Sequence, residues 1–170
     1  MTRRDAILAD IADFILARGL DAGTLRAMAM AAGESDRMLL YYFRDKEEIV
    51  AAVLQLLSER LMQVLATLGS DRKLRKEALH AQLDAVVLSE ELWPFLSLWL
   101  DLAARAARGD GFFAPVAQGL SVAFHQWIEG QLATTDPDLR RKEATEIMIG
   151  LEGIVMMKAV GMQRLVDELL

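Results

Sequence analysis

Apolar residues recur every three or four positions along most of the chain, which is the spacing of one face of an α-helix. The first such stretch covers 3–18, where Ile7, Ile11 and Ile15 fall on one side. Gly19 follows at a position where helices commonly end. The pattern therefore predicts a first helix over this range.

Two shorter apolar stretches follow, each preceded by a hydroxyl side chain. Thr24 precedes 25–32, and Ser35 precedes 36–42, with Gly33 between the two stretches. Serine or threonine at such a position accepts a hydrogen bond from the first turn of a helix, whereas glycine commonly ends one. The sequence therefore predicts two short helices joined by a tight turn, with the proportions of a helix-turn-helix.

Longer helical periods fill the rest of the chain. Asp45 and Glu48, three positions apart, have the arrangement of a capping box before a fourth helix, and Gly69 marks the end of that helix. Four more helices are predicted at 71–88, 94–108, 112–132 and 137–160. The predicted fold is all-α, with a three-helix module over residues 1–45 and a helical body over residues 46–170 that begins with the long fourth helix.

Composition narrows the class of protein. Of the 170 residues, 54% are hydrophobic and 26% are charged, which excludes a disordered or low-complexity chain. The chain has no cysteine, so disulfides, thiol nucleophiles and cysteine-bound zinc are excluded. The sequence contains no run of 18 uncharged apolar residues and no signal-peptide pattern, so we expect a cytoplasmic protein that does not enter a membrane.

Net charge does not by itself favour a partner that carries many phosphates. The chain has a net charge of −6, and residues 1–50 hold seven basic against nine acidic side chains, a balance of −2. Binding to nucleic acid depends largely on neutralising phosphates with Lys and Arg. DNA binding would therefore have to depend on where the positive charges lie.

The third predicted helix has two chemically different faces when its residues are placed about 100° apart. The apolar face holds Leu39, Leu40 and Phe43, and the opposite face holds Arg37, Met38, Tyr41 and Tyr42. We expect the apolar face to pack on the preceding helices and the opposite face to lie in solvent. Two neighbouring exposed tyrosines favour a binding surface. The alternatives are tyrosines that cover an apolar seam and an arginine that only solvates the surface.

A set of aromatic, small, hydroxyl and apolar residues recurs at fixed gaps across the first fifty positions. Its members are Phe14, Gly19, Thr24, Met28, Ala29, Ala32, Gly33, Ser35, Leu39, Tyr41, Phe43, Lys46 and Glu47. In order and spacing this set resembles the tetracycline-repressor (TetR) family of bacterial transcriptional regulators. The resemblance implies a protein that binds double-stranded DNA through its helix-turn-helix.

The resemblance also implies roles for particular side chains. Thr24 and Arg26 would lie near phosphates, and Lys46 would meet the DNA backbone at the start of the fourth helix. The recognition surface would consist of Ser35, Arg37, Met38, Tyr41 and Tyr42. Arginine can bind guanine O6 and N7 together, and tyrosine hydroxyls suit phosphate oxygens. Arg3 and Arg4 are candidates for a flexible arm that reaches the minor groove or phosphates.

Glu34 departs from the family's pattern, which usually has a small aliphatic residue after the turn glycine. Its negative charge, with the balance of −2 in residues 1–50, favours an alternative: a helical binding or scaffold protein of the same fold that has lost DNA recognition. An enzyme is not predicted, because the sequence offers neither paired carboxylates on one helix face nor a phosphate-binding glycine loop nor the order of a hydrolytic triad.

For the body, the resemblance implies a binding site for a small-molecule effector. Candidate effector contacts are the aromatic, soft or polar side chains Trp99, Trp93, Phe95, Met62 and His80, with Phe112, Phe113 and His125 as further members. The same residue types also fill ordinary cores. The two histidines lie on different helices without an acid spacing that indicates a metal site, so neither a metal nor a cofactor is predicted.

The resemblance further implies a homodimer formed by the last two long helices. One face of the final long helix carries the apolar residues Ala144, Met148, Leu151, Val155 and Met162. Gly150 and Gly153 lie in its interior, where a glycine lowers the stability of the helix by about 1 kcal/mol relative to alanine. Close approach of another helix, from the same chain or from a second copy, would compensate for this loss. The function implied is a homodimeric repressor that leaves a near-palindromic DNA operator when an effector binds.

Overall fold

A computed structural model of the protein describes residues 2–68 and 73–168, and the named elements within those ranges are helices. They are α1 (Arg3–Arg18), α2 (Leu25–Ala31), α3 (Asp36–Tyr42), α4 (Lys46–Leu68), α5 (Lys76–Leu88), α6 (Trp93–Ala107), α7 (Phe113–Gln131), α8 (Pro137–Ala159) and α9 (Gln163–Asp167), with a short 3-10 turn at Leu20–Ala22. The prediction of an all-α fold is confirmed.

The helices of the N-terminal module lie where the sequence predicts them. α1 and α3 have the predicted bounds, and α2 ends at Ala31, one residue early. Thr24 Oγ1 accepts a hydrogen bond from Ala27 N at 3.1 Å, and Ser35 Oγ accepts one from Met38 N at 3.2 Å. The predicted end of α4 at Gly69 lies outside the described residues.

α5 and α9 differ from the sequence prediction. The predicted start of α5 at residue 71 lies outside the described residues, and the helix itself begins at Lys76. Leu74 N donates to Gln131 O at 2.8 Å, and Leu74 O accepts from Ala133 N at 2.7 Å, so its backbone groups are used in a short parallel bridge instead of a helix. α9 has only five residues, too few to show a helical period in the sequence.

The chain divides into two compact units, residues 1–66 and 67–170. The core of the first unit is aliphatic and aromatic. It contains Ile7, Ile11 and Ile15 of α1, Met28 of α2, Leu39 of α3, Phe43, and Ile49, Val53 and Leu57 of α4. Each such side chain contributes about 1.5–3 kcal/mol when it moves from water into a core. Within this unit α2 packs closely on both α1 and α3, and the Leu39 side of α3 is buried.

In the second unit α5 and α8 run parallel, and partners along them are 70 positions apart. Lys76 pairs with Glu146 near the start of α5. At its end, Lys158 Nζ donates to Leu88 O at 2.9 Å. Between these ends lies a core built from α5, α7 and α8, which contains Leu79, Leu83, Val87, Ile128, Leu132, Ala144, Ile147, Leu151 and Val155.

The apolar stripe of α8 predicted from the sequence therefore does not form a dimer surface. Ala144, Leu151 and Val155 are buried inside one protomer, and Met148 packs against the same core. The prediction was wrong because a helical period identifies an apolar face without identifying its partner, and here that partner is chiefly α5. Met162 follows the end of α8 and is exposed.

In the described part of the chain, one helix is long and apolar enough to cross a membrane, the stretch Lys46–Thr67 with a mean hydropathy of 1.5. Ile49, Val53 and Leu57 of this helix are buried in the first unit. Glu59 and Arg60 interrupt it, and Arg60 pairs with Asp13 of α1. These contacts are those of a helix that contributes one face to a protein core.

Candidate nucleic-acid interface

α3 is fixed by its apolar side. Leu39 and Phe43 are 0% and 2% exposed, and they pack in the core of the first unit. The Ser35 side chain caps the first turn, as described above. Because α3 has only two turns, these contacts are sufficient to hold its opposite side outward.

The turn between α2 and α3 is held by backbone hydrogen bonds. Gly33 has φ of +64°, in the left-handed region that favours glycine. Gly33 N donates to Met30 O at 3.1 Å, and Glu34 N donates to Ala29 O at 2.9 Å. This arrangement is a Schellman motif, which ends α2. Ser35, two residues after Gly33, then caps the start of α3.

The outward side of α3 presents mixed chemistry. Tyr41 is 78% exposed, Met38 is 39% exposed, and Arg37 also lies in solvent. Tyr42 is half-buried and meets the Tyr41 ring edge-on, with 5.1 Å between ring centroids. We call Arg37, Met38 and Tyr41 the reading face, with Tyr42 at its edge. The predicted exposure is confirmed for these three residues, whereas Tyr42 is partly covered.

Leu40 corrects the predicted apolar face. The sequence places it with Leu39 and Phe43, but Leu40 is 47% exposed. The buried sector of α3 is centred between Leu39 and Phe43, and Leu40 lies about 80° from that centre. The supporting helices do not reach that far around α3, so Leu40 borders the reading face instead of anchoring it.

Cations at this surface fall into two groups. In residues 2–68 of the structure, four cations are exposed and form no ion pair: Arg18, Arg26, Arg37 and Lys46. Arg3 and Arg44, in contrast, are paired with Glu34 and Asp45. Three of the four unpaired cations, Arg26, Arg37 and Lys46, are residues that the resemblance assigns to DNA, and Arg18 lies at the end of α1.

Arg3 and Arg4 do not form the flexible arm that the sequence suggested. Both belong to the first turn of α1, which is capped by Thr2. Arg4 Nη2 lies 3.5 Å from Glu48 Oε1, and its guanidinium lies 4.5 Å from the centroid of the Phe43 ring. Both contacts hold the start of α1 against the end of α3 and the start of α4, because a cation over an aromatic face is attracted to it.

The start of α4 is already satisfied by carboxylates. Asp45 Oδ1 accepts from Glu48 N, and Glu48 Oε2 accepts from Arg44 N, both at 2.8 Å. The hydrogen bond from Arg44 is the main cause that lowers the pKa of Asp45, followed by the one from Glu48 N. The N–H of Glu48 is therefore occupied, and a DNA contact of Lys46 would come from its side chain.

The candidate effector contacts have internal partners. Trp99 Nε1 donates to Glu152 Oε2 at 2.9 Å, and Lys158 Nζ lies 4.9 Å from the centroid of the Trp93 ring. Phe95 is half-buried on α6. Met62 is half-buried on α4, in the first unit as divided above. The two tryptophans are thus held by charged groups, Glu152 and Lys158, that were not among the predicted effector contacts.

Each of the two histidines has an acid beside it that was not among the predicted site residues. His80 Nε2 lies 3.5 Å from Asp84 Oδ1, and His125 Nδ1 lies 3.2 Å from Glu129 Oε1. Both acids are one helical turn away, so the spacing of four positions was a usable signal. Within the ranges that the structure describes, no three His, Cys, Asp or Glu residues come together as a metal site.

The module matches a known family of proteins. Residues 7–53 match the family described as bacterial regulatory proteins, tetR family. No curated protein matches the chain.

Solved structures share the fold over nearly the whole chain. A transcriptional regulator from Rhodococcus sp. Rha1 is 21% identical and has a TM-score of 0.75, covering 96% of this chain and 87% of its own. A regulator from Rhodococcus sp. assigned to the TetR family is 22% identical and has a TM-score of 0.69, covering 94% and 88%. These likenesses concern the fold alone. Within this shared fold, the N-terminal residues 7–53 are those that resemble the tetR family of bacterial regulatory proteins.

Proposed function

We propose that the protein is a homodimeric, sequence-specific repressor that a small-molecule effector releases from a near-palindromic operator. Residues 1–45 would form the DNA-binding domain, and residues 46–170 the ligand-binding and dimerisation domain. The observation that carries the proposal is the reading face of α3, which is exposed while Leu39 beneath it is fully buried.

The reading face has the chemistry to distinguish base pairs. The Arg37 guanidinium has no ion-pair partner in the described residues, so its parallel donors are available to guanine O6 and N7. Met38 offers an apolar surface to a thymine methyl group, and the Tyr41 hydroxyl can reach a base edge or a phosphate. Tyr42 supports the Tyr41 ring from the side.

Four further side chains suit the DNA backbone. Arg26 and Lys46 carry unpaired positive charge at the surface. The oxygens of Thr24 and Ser35 accept hydrogen bonds from the first turns of α2 and α3. Each hydroxyl keeps its own hydrogen, which it can donate to a phosphate oxygen. Such contacts fix the register of a protein on the duplex without reading its sequence.

An uncovered face of α8 supports the homodimer. Ile149, Met156 and Val160 recur at helical spacing and are 68%, 53% and 61% exposed in one protomer. Gly153 lies among them with no heavy atom near the position of an added Cβ. A second copy of the chain would cover this apolar face about a two-fold axis. In the proposed dimer the two α3 helices would meet successive turns of the major groove, about 34 Å apart.

The second unit supplies the candidate effector contacts. Trp93, Phe95, Trp99 and His80 are half-buried side chains of its helices. An effector that binds one dimer geometry more tightly than another would shift the population and so lower affinity for the operator. Met62, on α4, stays a prediction from the sequence.

Selection of duplexes from a random pool, combined with the mass from gel filtration, tests the proposal. We expect enrichment of one near-palindromic sequence and the mass of two chains. A matched protein with Arg37→Ala and Tyr41→Ala should enrich no common sequence while keeping its helix content. Failure of the unaltered protein to enrich any sequence would instead favour the scaffold alternative.

A further inference from the structure

Glu34 stands at a sensitive position for a protein that binds phosphates. It follows Gly33 in the Schellman turn, and its N–H is fixed by Ala29 O at 2.9 Å. The next residue, Ser35, begins the helix that would enter the major groove. An uncompensated carboxylate at this point would repel the phosphates that flank the groove.

Arg3 covers this carboxylate from the solvent side. Its Nε lies 3.1 Å from Glu34 Oε1, and its Nη2 donates to the same oxygen. The Glu34 side chain is only 14% exposed, whereas the Arg3 side chain is 60% exposed. Arg3 is held in turn at the start of α1 by the Thr2 and Asp5 capping box.

From this geometry we infer that Arg3 serves the DNA-binding surface by neutralising Glu34, so that a DNA phosphate meets a guanidinium and not an unpaired acid. The inference rests on the proposed function, because it concerns how the same surface accepts DNA. Arg3 is thus a positioning residue for charge and not a member of a minor-groove arm. Pairing with Arg3 also explains how an acid beside the recognition helix is compatible with DNA binding.

Two other roles for Arg3 predict different behaviour. If Arg3 were itself the phosphate ligand, its loss would weaken DNA binding whether or not residue 34 is charged. If the pair only clamped α1 to the turn before α3, loss of either partner would lower the stability of the fold. Neutralisation predicts that the effect of removing Arg3 depends on the charge of Glu34 and not on the stability of the fold.

The test is a double-mutant cycle on Arg3→Ala and Glu34→Gln. Binding is measured by fluorescence anisotropy on a labelled duplex of arbitrary sequence, about three helical turns long, because repulsion of phosphates does not depend on base sequence. We expect Arg3→Ala to weaken binding about five- to tenfold at low salt, and less at high salt, because salt screens the exposed charge. Glu34→Gln should bind at least as tightly as the unaltered protein, and the double variant should match Glu34→Gln within about twofold.

Three further variants separate charge from shape. Arg3→Lys keeps the charge and should retain most of the affinity. Arg3→Gln keeps a donor but removes the charge, and it should bind as weakly as Arg3→Ala. Arg18→Ala, at the other end of α1, is the matched control and should leave affinity unchanged.

Each other result overturns the inference. An equal loss from Arg3→Ala in both backgrounds would make Arg3 a direct phosphate ligand. If the loss of DNA binding accompanies a lower unfolding midpoint, and Arg3→Gln binds DNA and unfolds like the unaltered protein, then the pair is a structural clamp. If the unaltered protein binds no duplex at all, the proposed function fails, and that outcome is distinct from a failure of the neutralisation alone.

Discussion

At the scale of single residues, neighbouring positions on α3 have opposite tasks. Phe43, the residue that follows α3, is buried beneath the Arg4 guanidinium of α1, while Tyr41, two positions earlier, is exposed. The difference follows from the helical period, because residues two positions apart point about 160° away from each other when each step is about 100°. Substitutions on the two sides should therefore affect different properties, folding on one side and DNA binding on the other.

Arg37→Ala is expected to weaken binding to a selected duplex by about 1–3 kcal/mol and to relax the preference at one base pair, because the proposed bidentate contact to guanine would be lost. Lys46→Ala should weaken binding to all sequences alike and lower the salt slope by about one. Anisotropy titrations against single-base variants of the duplex at several salt concentrations measure both effects. Equal small losses for both variants on every duplex would contradict these roles.

Phe43→Ala is expected to lower the free energy of unfolding by about 3–5 kcal/mol, because it leaves a cavity in the first unit. It also removes the ring on which the Arg4 guanidinium lies. Tyr41→Ala is the matched control and should change stability by no more than about 0.5 kcal/mol. Chemical denaturation measures both values, and a comparable cost at Tyr41 would show that α3 is anchored through a different face.

Asp84 should make stability depend on pH. Burial raises its pKa above the ordinary value of 3.8, and the nearby His80 opposes this rise. A carboxyl whose pKa is higher in the folded than in the unfolded chain destabilises the fold once pH exceeds the unfolded value, because the unfolded chain ionises more easily. Asp84→Asn should therefore be more stable than the unaltered protein at neutral pH, and this difference in stability should vanish at about pH 3.

Thermal unfolding across this pH range checks the prediction for Asp84. Glu77→Gln, on the exposed side of the same helix, is the control and should show little dependence on pH relative to the unaltered protein. A difference between Asp84→Asn and the unaltered protein that stays constant from acid to neutral pH would show that burial of the charge is not its cause.

At the scale of elements, local signals predicted the helices well. Thr24, Ser35 and Gly33 each act within one turn of chain, so their positions in the sequence were sufficient to place the ends of α2 and α3. Contacts between distant residues could not be predicted in this way. No local pattern indicates that Arg3 meets Glu34, or that the apolar stripe of α8 packs on α5 and not on a second copy.

Gly33→Ala tests the turn that sets α3 in place. Its φ of +64° is unfavourable for an L side chain, so the substitution should destabilise the protein by about 1–2 kcal/mol although an added Cβ would meet no atom. Gly111→Ala, which also has open space but no positive φ, should have a much smaller effect. Denaturation midpoints of the two variants give the comparison, and equal effects would contradict the strain at Gly33.

At the scale of the whole molecule, a repressor with two reading faces requires two chains. Ile149→Asp places a charge in the exposed apolar face of α8, at its most exposed residue, and is expected to shift the protein to the mass of one chain in gel filtration. Leu139→Asp, at the exposed start of the same helix, should leave the mass unchanged. A dimer that survives Ile149→Asp would show that the two copies meet through another surface.

The assignment of the reading face to DNA is tested most directly by oxidative footprinting of the side chains with and without a saturating selected duplex. Met38 and Tyr41 should be oxidised readily in the free protein and protected in the complex, while Met162, exposed beyond α8, should react equally in both. Unchanged reactivity of Met38 and Tyr41 in a fully bound sample would contradict the central claim that α3 reads the duplex.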